Sequence, residues 1–424
     1  MTEVKLNQVF GITTDIPTYT YVDRQELDER FAHYLASQKH IVIHGASKQG
    51  KSCLRKKQID SSTSLVIQCL PTMEHAEDVW RAALEKAGVP VVAKTTRTVT
   101  EGDHIDGTLE TKAGVPGLVG VKGNASGGLE STKSASEEIE EPGEGPLSIL
   151  AAYLRDNSKR LILEDFHYLP DEVRKSIAFG LKALYEEKAY VVVIGIWSEQ
   201  NLLNYYNGDL TGRIEEINLT WSEEELNEVL TKGEGTLNVQ FAPGLKSQLI
   251  ESAFGNVGLL QRLSEKICLE AGVVIFQPQT KIISDIELLN RARTQLVNEI
   301  RQRYTGITEV FKEGMRADAE LQLYTRIYNE LVDASELELI NGISYHSLLE
   351  RIRSKAGSGV TIRQSDLTSA LDRVERLQAK KRVTPLLVSY SKNVRKLFLN
   401  DREFMFYRKY SGDNPEDLKI NVDE

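Results

Sequence analysis

Eight residues, Gly45-Ala46-Ser47-Lys48-Gln49-Gly50-Lys51-Ser52, fit the spacing G-x-x-x-x-G-K-[ST]. Glycines at those positions let a backbone wrap so that successive N–H groups point inward at phosphate oxygens. Lys51 can then reach the outer phosphates of a nucleotide, and the Ser52 hydroxyl can go to Mg²⁺. Gly45, Ser47, Gln49, Gly50 and Cys53 complete the expected cradle, and the helix that follows aims its N-terminus at the anion. Hydrolysis needs acids at the end of a second buried strand. The run Leu161-Ile162-Leu163 ends in Glu164-Asp165, which supplies them. Glu164 is expected on the metal side with Ser52, and Asp165 as the base that polarises the attacking water. The usual order in such sites is Asp first, so the pair is reversed here.

These groups need strands and helices to hold them. The loop follows the apolar run HIVIH, residues 40–44, and precedes the helical KSCLRKKQI. Strands are expected over 64–70, 159–164, 190–197 and 212–220, and helices over 74–88, 146–157 and 171–188. Near-continuous apolar strands alternating with helices indicate a parallel sheet covered on both faces. The fold class is therefore α/β, a three-layer P-loop NTPase core over residues 1–220. Residues 94–146 break the pattern with Gly, Ser and Thr, consistent with small hairpins and then linker. That insertion is either a tolerated surface loop or a protrusion that meets a neighbour.

Beyond the core, residues 221–280 read as a helical lid and 281–315 as a helical connector. Residues 316–412 follow the order helix, helix, longer helix, β-hairpin, which is that of an α+β winged helix-turn-helix. A flexible acidic tail is expected over 413–424. The net charge is −10, yet residues 373–409 hold eleven Lys and Arg against three acids. Arg373, Arg376, Lys380 and Lys381 fall on the longer helix, and Lys392, Arg395 and Lys396 in the hairpin. Cations on a helix and a wing suit phosphate contacts on either side of a groove, so double-stranded DNA is one expected partner and another protein the alternative.

The chain also resembles the AAA+ superfamily, in particular its STAND and origin-recognition-like branches, on several stretches beside the phosphate loop. YVDRQELDERFAHYL, residues 21–35, is similar to the box that lies near adenine in that family, with Asp23 where glycine is common. The resemblance implies nucleotide contacts from Tyr21 and Arg24. It implies a polar sensor at Ser198 or Asn201 in GIWSEQNLL, and a finger arginine, Arg213, offered to a neighbouring subunit. AFGNVGLLQRLSEKICLEAG, residues 253–272, resembles the lid, with Arg262 as the arginine that meets phosphate. The resemblance further implies ATP and Mg²⁺ as cofactors, homo-oligomerisation, and roles such as replication initiation, DNA loading or antiviral defence with an effector protein encoded elsewhere. ATP is preferred over GTP on this ground alone.

Composition narrows the field. Cys53, Cys69 and Cys268 are scattered with no CxxC, which fits a reduced, cytoplasmic protein without a thiolate metal site. No apolar run reaches the roughly 18–20 residues that span a bilayer, so no membrane partner is expected. The expectation is an ATPase switch that couples nucleotide state to oligomerisation and to DNA or a partner protein. The alternative is a DNA-binding regulator or loading factor with a weak or structural nucleotide site.

Overall fold

Five short strands rich in Val, Ile and Leu build the central sheet of the computed structural model, which describes residues 4–12, 15–90, 145–315, 321–357, 359–412 and 414–422. They are β1 (His40–His44), β2 (Ser64–Gln68), β3 (Arg160–Glu164), β4 (Val191–Ile194) and β5 (Ile214–Asn218). All pair in parallel, in the order β2-β3-β4-β1-β5. Successive strand residues point to opposite faces, and here both faces are buried. Val42, Leu161, Leu163, Val191 and Val193 pack under the helices Ala76–Lys86, Pro146–Asp156 and Asp171–Glu186. Ile41, Ile43, Ile162, Val192 and Ile217 pack on the other side with Phe31 and Leu54 from the helices Gln25–Ala36 and Lys51–Gln58. The expected three-layer α/β core is present. The predicted insertion lies outside the described residues as far as residue 144.

The lid contains the helices Glu223–Leu237, Pro243–Ser252 and Val257–Glu270. Ser222 and Glu225 form a reciprocal capping box at the first of these, and Pro243 opens the second. A two-stranded parallel sheet of β6 (Val239–Phe241) and β7 (Lys281–Ile283) closes the lid. Strands of three residues carry too little periodicity to be read from sequence, and these were not expected. The 28-residue helix Ile286–Glu313 is the connector.

The C-terminal part runs helix Leu323–Asp333, helix Glu336–Asn341, β8 (Ile343–Ser344), helix Tyr345–Ser354, helix Gln364–Lys380, β9 (Val388–Ser391) and β10 (Lys396–Leu399). The three strands pair antiparallel in the order β8-β10-β9, giving the winged helix-turn-helix that the sequence implied. The wing turns at 392–395. The run Leu399-Asn400-Asp401-Arg402-Glu403, which could also be read as a hairpin turn, leads instead into the helix Glu403–Tyr410. Phe404, Phe406 and Tyr407 on that helix are buried, with Phe404 and Tyr407 against Tyr304 of the connector. Burial of those rings overrides the local β preference. The expected free tail is also corrected. Leu418 and Ile420 are buried, and Asn329 exchanges two hydrogen bonds with the backbone of Ile420.

One hydrophobic core runs through the lid, connector and winged helix, from Leu260 and Leu263 through Leu296 and Tyr304 to Leu331 and Phe404. These three parts therefore form one packed unit. Polar contacts tie its winged helix to the sheet core, among them those of Arg174 and Glu199. Arg174, buried on the helix Asp171–Glu186, donates to Glu375 at 2.8 Å, and the buried Glu199 carboxyl faces Ser391 and Asn393 of the wing. Leu296→Ala, at a fully buried connector position, should destabilise by about 2–5 kcal/mol. Urea denaturation followed in the lid and in the winged helix should show both melting at the same lowered midpoint.

Candidate nucleotide-binding site

The phosphate loop leaves β1 at the carboxyl end of the sheet, where open α/β sheets hold their ligands. Two glycines are dictated by geometry. Gly45 has φ +134°, and a Cβ there would sit 2.6 Å from the Leu219 carbonyl oxygen. Gly50 has φ +85° and caps the helix Lys51–Gln58. The amides of Gly50, Lys51 and Ser52 have no acceptor among the described residues, so three donors and a helix N-terminus face the cleft.

The loop's carbonyl groups are held from behind. Asn256 Nδ2 donates to Ser47 O at 3.2 Å, the Gly258 amide to Lys48 O at 3.2 Å, and Trp221 Nε1 to Gln49 O at 3.0 Å. Gln49 Nε2 donates to Gly255 O at 3.1 Å. The Ser47 amide donates to Asn400 O at 3.0 Å, a contact from the C-terminal domain. Lys51 is buried and donates to Gly45 O at 3.1 Å and Ala46 O at 2.6 Å. Burial pulls its pKa down to about 7, opposed by the charge of Asp165.

The cleft holds about 330 Å³ and is lined by Lys51, Ser52, Cys53, Glu164 and Asp165 at one end. Ile12, Pro17, Tyr21, Val22, Trp221 and Val257 supply an apolar wall elsewhere along it. Tyr21 and Arg24 both line the cleft. Tyr21 donates to Asp28 at 2.8 Å, and the Arg24 guanidinium stacks 4.2 Å over the Trp221 ring while donating to Thr220 O at 2.9 Å. Trp221 was not singled out from sequence; its only signal was its place just past β5.

β3 is separated from β1 by β4 alone, about 10 Å at strand spacing. Its terminal acids thus reach the same cleft as the loop. Glu164 accepts from Arg55 at 2.8 and 3.1 Å, so one of its oxygens is engaged by a cation of the loop helix. Asp165 adopts φ +55° and accepts from Gln68 at the end of β2. Burial pushes its pKa up, as does the charge of Glu164, while Gln68 and Lys51 oppose them. The Ser52 hydroxyl and these two carboxylates are hard oxygen donors of the kind Mg²⁺ takes, so the residues present fit that ion.

Arg262, Ser198 and Asn201 lie outside the cleft, and Arg213, expected to serve a neighbouring subunit, lies at the far end of the sheet. Arg262 does not line the cleft; it donates to Glu403 at 2.7 Å and to Glu299 at 2.9 Å, and its neighbour Gln261 lines the cleft instead. Ser198 and Asn201 are also outside, the Asn201 amide donating to Glu216 at 2.9 Å, and apolar Ile196 occupies the cleft wall past β4. Arg213 precedes β5 and its carbonyl accepts from the His40 amide, placing it at the opposite end of the sheet. It pairs with Glu186 at 2.9 Å and lies 5.2 Å over the Tyr185 ring. It cannot touch the cleft of its own chain.

On the winged helix, Arg373, Arg376 and Lys380 are exposed. Lys381 pairs with Glu313, Lys392 with Asp372 at 3.4 Å, Arg395 stacks 4.3 Å over Tyr345, and Lys396 donates to Asn341 O at 3.1 Å.

No family model and no curated protein sequence matches the chain. Among solved structures it is similar to the Aeropyrum pernix ORC1 protein in complex with DNA, at 14% identity over 96% of each chain with a TM-score of 0.41. It is similar to a Walker-type ATPase of Pyrococcus abyssi, at 14% identity over 92% of this chain and 95% of that one, TM-score 0.48. It is similar to the Thermotoga maritima RuvB Holliday junction branch migration motor, at 12% identity over 91% and 95%, TM-score 0.36. At these scores the likenesses add nothing to the strand order and loop geometry above.

Lys51 generates a pH prediction. Its folded pKa, about 7, lies below the 10.5 of an ordinary lysine, so the unfolded chain binds more protons between those values and stability rises with pH across that window. In Lys51→Met that rise between pH 7 and pH 10 should be smaller than in the wild type, measured by chemical denaturation at each pH.

Proposed function

We propose that this protein is a Mg²⁺-dependent ATPase whose nucleotide state governs the docking and partner engagement of its C-terminal winged helix. The observation that carries the reading is the junction of β1 with the helix Lys51–Gln58. There three amides without an acceptor among the described residues, a buried lysine and two carboxylates at the end of β3 line one cleft. The amides and Lys51 would hold the β- and γ-phosphates. Ser52 and the free oxygen of Glu164 would hold Mg²⁺, which supplies charge neutralisation between the phosphates. Asp165, its pKa raised by burial, would take the proton of the attacking water. Tyr21, Val22, Trp221 and the stacked Arg24 would receive the base. Arg213 acts in this reading only from one subunit to the next.

The exposed cations Arg373, Arg376 and Lys380 support double-stranded DNA as the partner of the winged helix, with Lys381, Lys392, Arg395 and Lys396 at its margins. A role in antiviral defence through a separate effector protein is the finest part of the proposal, and it rests on the sequence resemblance alone.

ATP binding by Lys51 should draw a proton from solution at pH 8, because a phosphate-paired lysine returns to the charged form. Calorimetry in buffers of different ionisation enthalpy should give uptake approaching one proton per ATP, and no uptake would contradict the assignment of Lys51. Hydrolysis should be lost in Lys51→Ala with binding, and in Asp165→Ala with binding retained, at least about 10²-fold in rate for the latter. Stimulation by double-stranded DNA that disappears in Arg373→Glu/Arg376→Glu/Lys380→Glu, with a flattened salt dependence, would identify DNA as the partner. Turnover indifferent to DNA would assign that face to a protein.

A further inference from the structure

The segment Asn400–Glu403, directly after the wing, is built against the phosphate loop. Asn400 O accepts from the Ser47 amide at 3.0 Å, and Arg402 Nη1 donates to the carbonyls of Phe254 and Gly255 at 3.3 Å each. Glu403 is fully buried and gathers three cations from three parts of the chain. Lys48 of the phosphate loop donates to it at 2.7 Å, Arg262 of the lid at 2.7 Å, and Arg303 of the connector at 2.9 Å. Asp401, also buried, takes Arg303 and the Tyr304 hydroxyl, and Glu299 takes the other arm of Arg262.

One of the three cations lines the cleft and a second sits on the lid helix that does. Lys48 lines it, and Arg262 follows Gln261, which lines it. Their side chains are 31% and 18% exposed, whereas Glu403 is sealed. A triphosphate in the cleft would be the stronger anion, and it is met by side chains that can swing while Glu403 cannot follow them. A carboxylate stripped of two of three partners and left buried is strongly disfavoured.

We propose that Glu403 is the anion a bound triphosphate must displace from Lys48 and Arg262, so that ATP binding loosens residues 400–410 from the phosphate loop. The proposal rests on the nucleotide reading above. It makes Glu403 a positioning residue, acting through the loop lysine and the lid arginine. It also explains why Arg262 is turned away from the cleft.

The test is hydrogen–deuterium exchange over residues 400–410 of the full chain, with and without Mg²⁺-ATP, alongside calorimetric ATP affinity. Saturating ATP should raise exchange there several-fold in the wild type. Glu403→Gln removes the charge at constant shape; it should exchange fast without nucleotide and bind ATP up to about tenfold tighter, because the bound form no longer has to break the cluster first. Lys48→Met, at a part-exposed position, should on its own raise nucleotide-free exchange over 400–410, which keeps the test open if Glu403→Gln does not fold. ATP binding with unchanged exchange in the wild type, or a folded Glu403→Gln with unchanged or weaker affinity, overturns the proposal and leaves the nucleotide reading standing. No ATP binding by the wild type overturns both.

Discussion

A loop that offers its N–H groups to an anion must turn its carbonyl groups the other way, and buried carbonyls need partners. That constraint organises much of this molecule. Asn256 and Gly258 from the lid and Trp221 from the segment after β5 satisfy the loop's carbonyls, while the Asn400 carbonyl from beyond the wing takes the Ser47 amide. The site is therefore a junction between domains. A change in the loop is felt at once by the lid turn and the winged helix, because both are hydrogen-bonded to Ser47 and Lys48.

The continuous core from lid to winged helix makes that coupling mechanical. With Leu296 and Tyr304 of the connector buried against both neighbours, the lid and winged helix move as one packed body or must break hydrophobic contact to move apart. The links to the sheet are polar instead, Arg174 to Glu375 and Glu199 to the wing. Polar links between domains are easier to exchange than packed apolar ones, so rearrangement is best placed at that seam. The seam takes Glu375 of the helix Gln364–Lys380, while Arg373, Arg376 and Lys380 stay exposed.

Electrostatics explain where single-residue expectations failed. Arg262 was expected at a phosphate because of its place on a lid helix, yet a buried carboxylate from far along the chain holds it. Ser198 and Asn201 were polar residues near the end of β4, but Ile196 is the one that reaches the cleft. Each case turned on which side of a helix or loop faced inward, and one residue of rotation separates Gln261 from Arg262.

Local chemistry set most of the architecture. Glycines at 45 and 50, apolar runs of strand length and an acid pair at a strand end have meanings that depend on backbone sterics and on alternating burial, and these are short-range properties. They made the sheet, its two covered faces, the phosphate loop and the winged helix legible from residues alone. Tertiary structure decided what depends on partners distant in sequence: the three-residue strands of the lid, the helix at Glu403–Tyr410 that aromatic burial stabilises, the packed tail at Ile420, and the cation cluster on Glu403. An ion pair across 355 residues, such as Lys48 with Glu403, leaves no periodicity or spacing to read, because only the closed chain brings its two ends together.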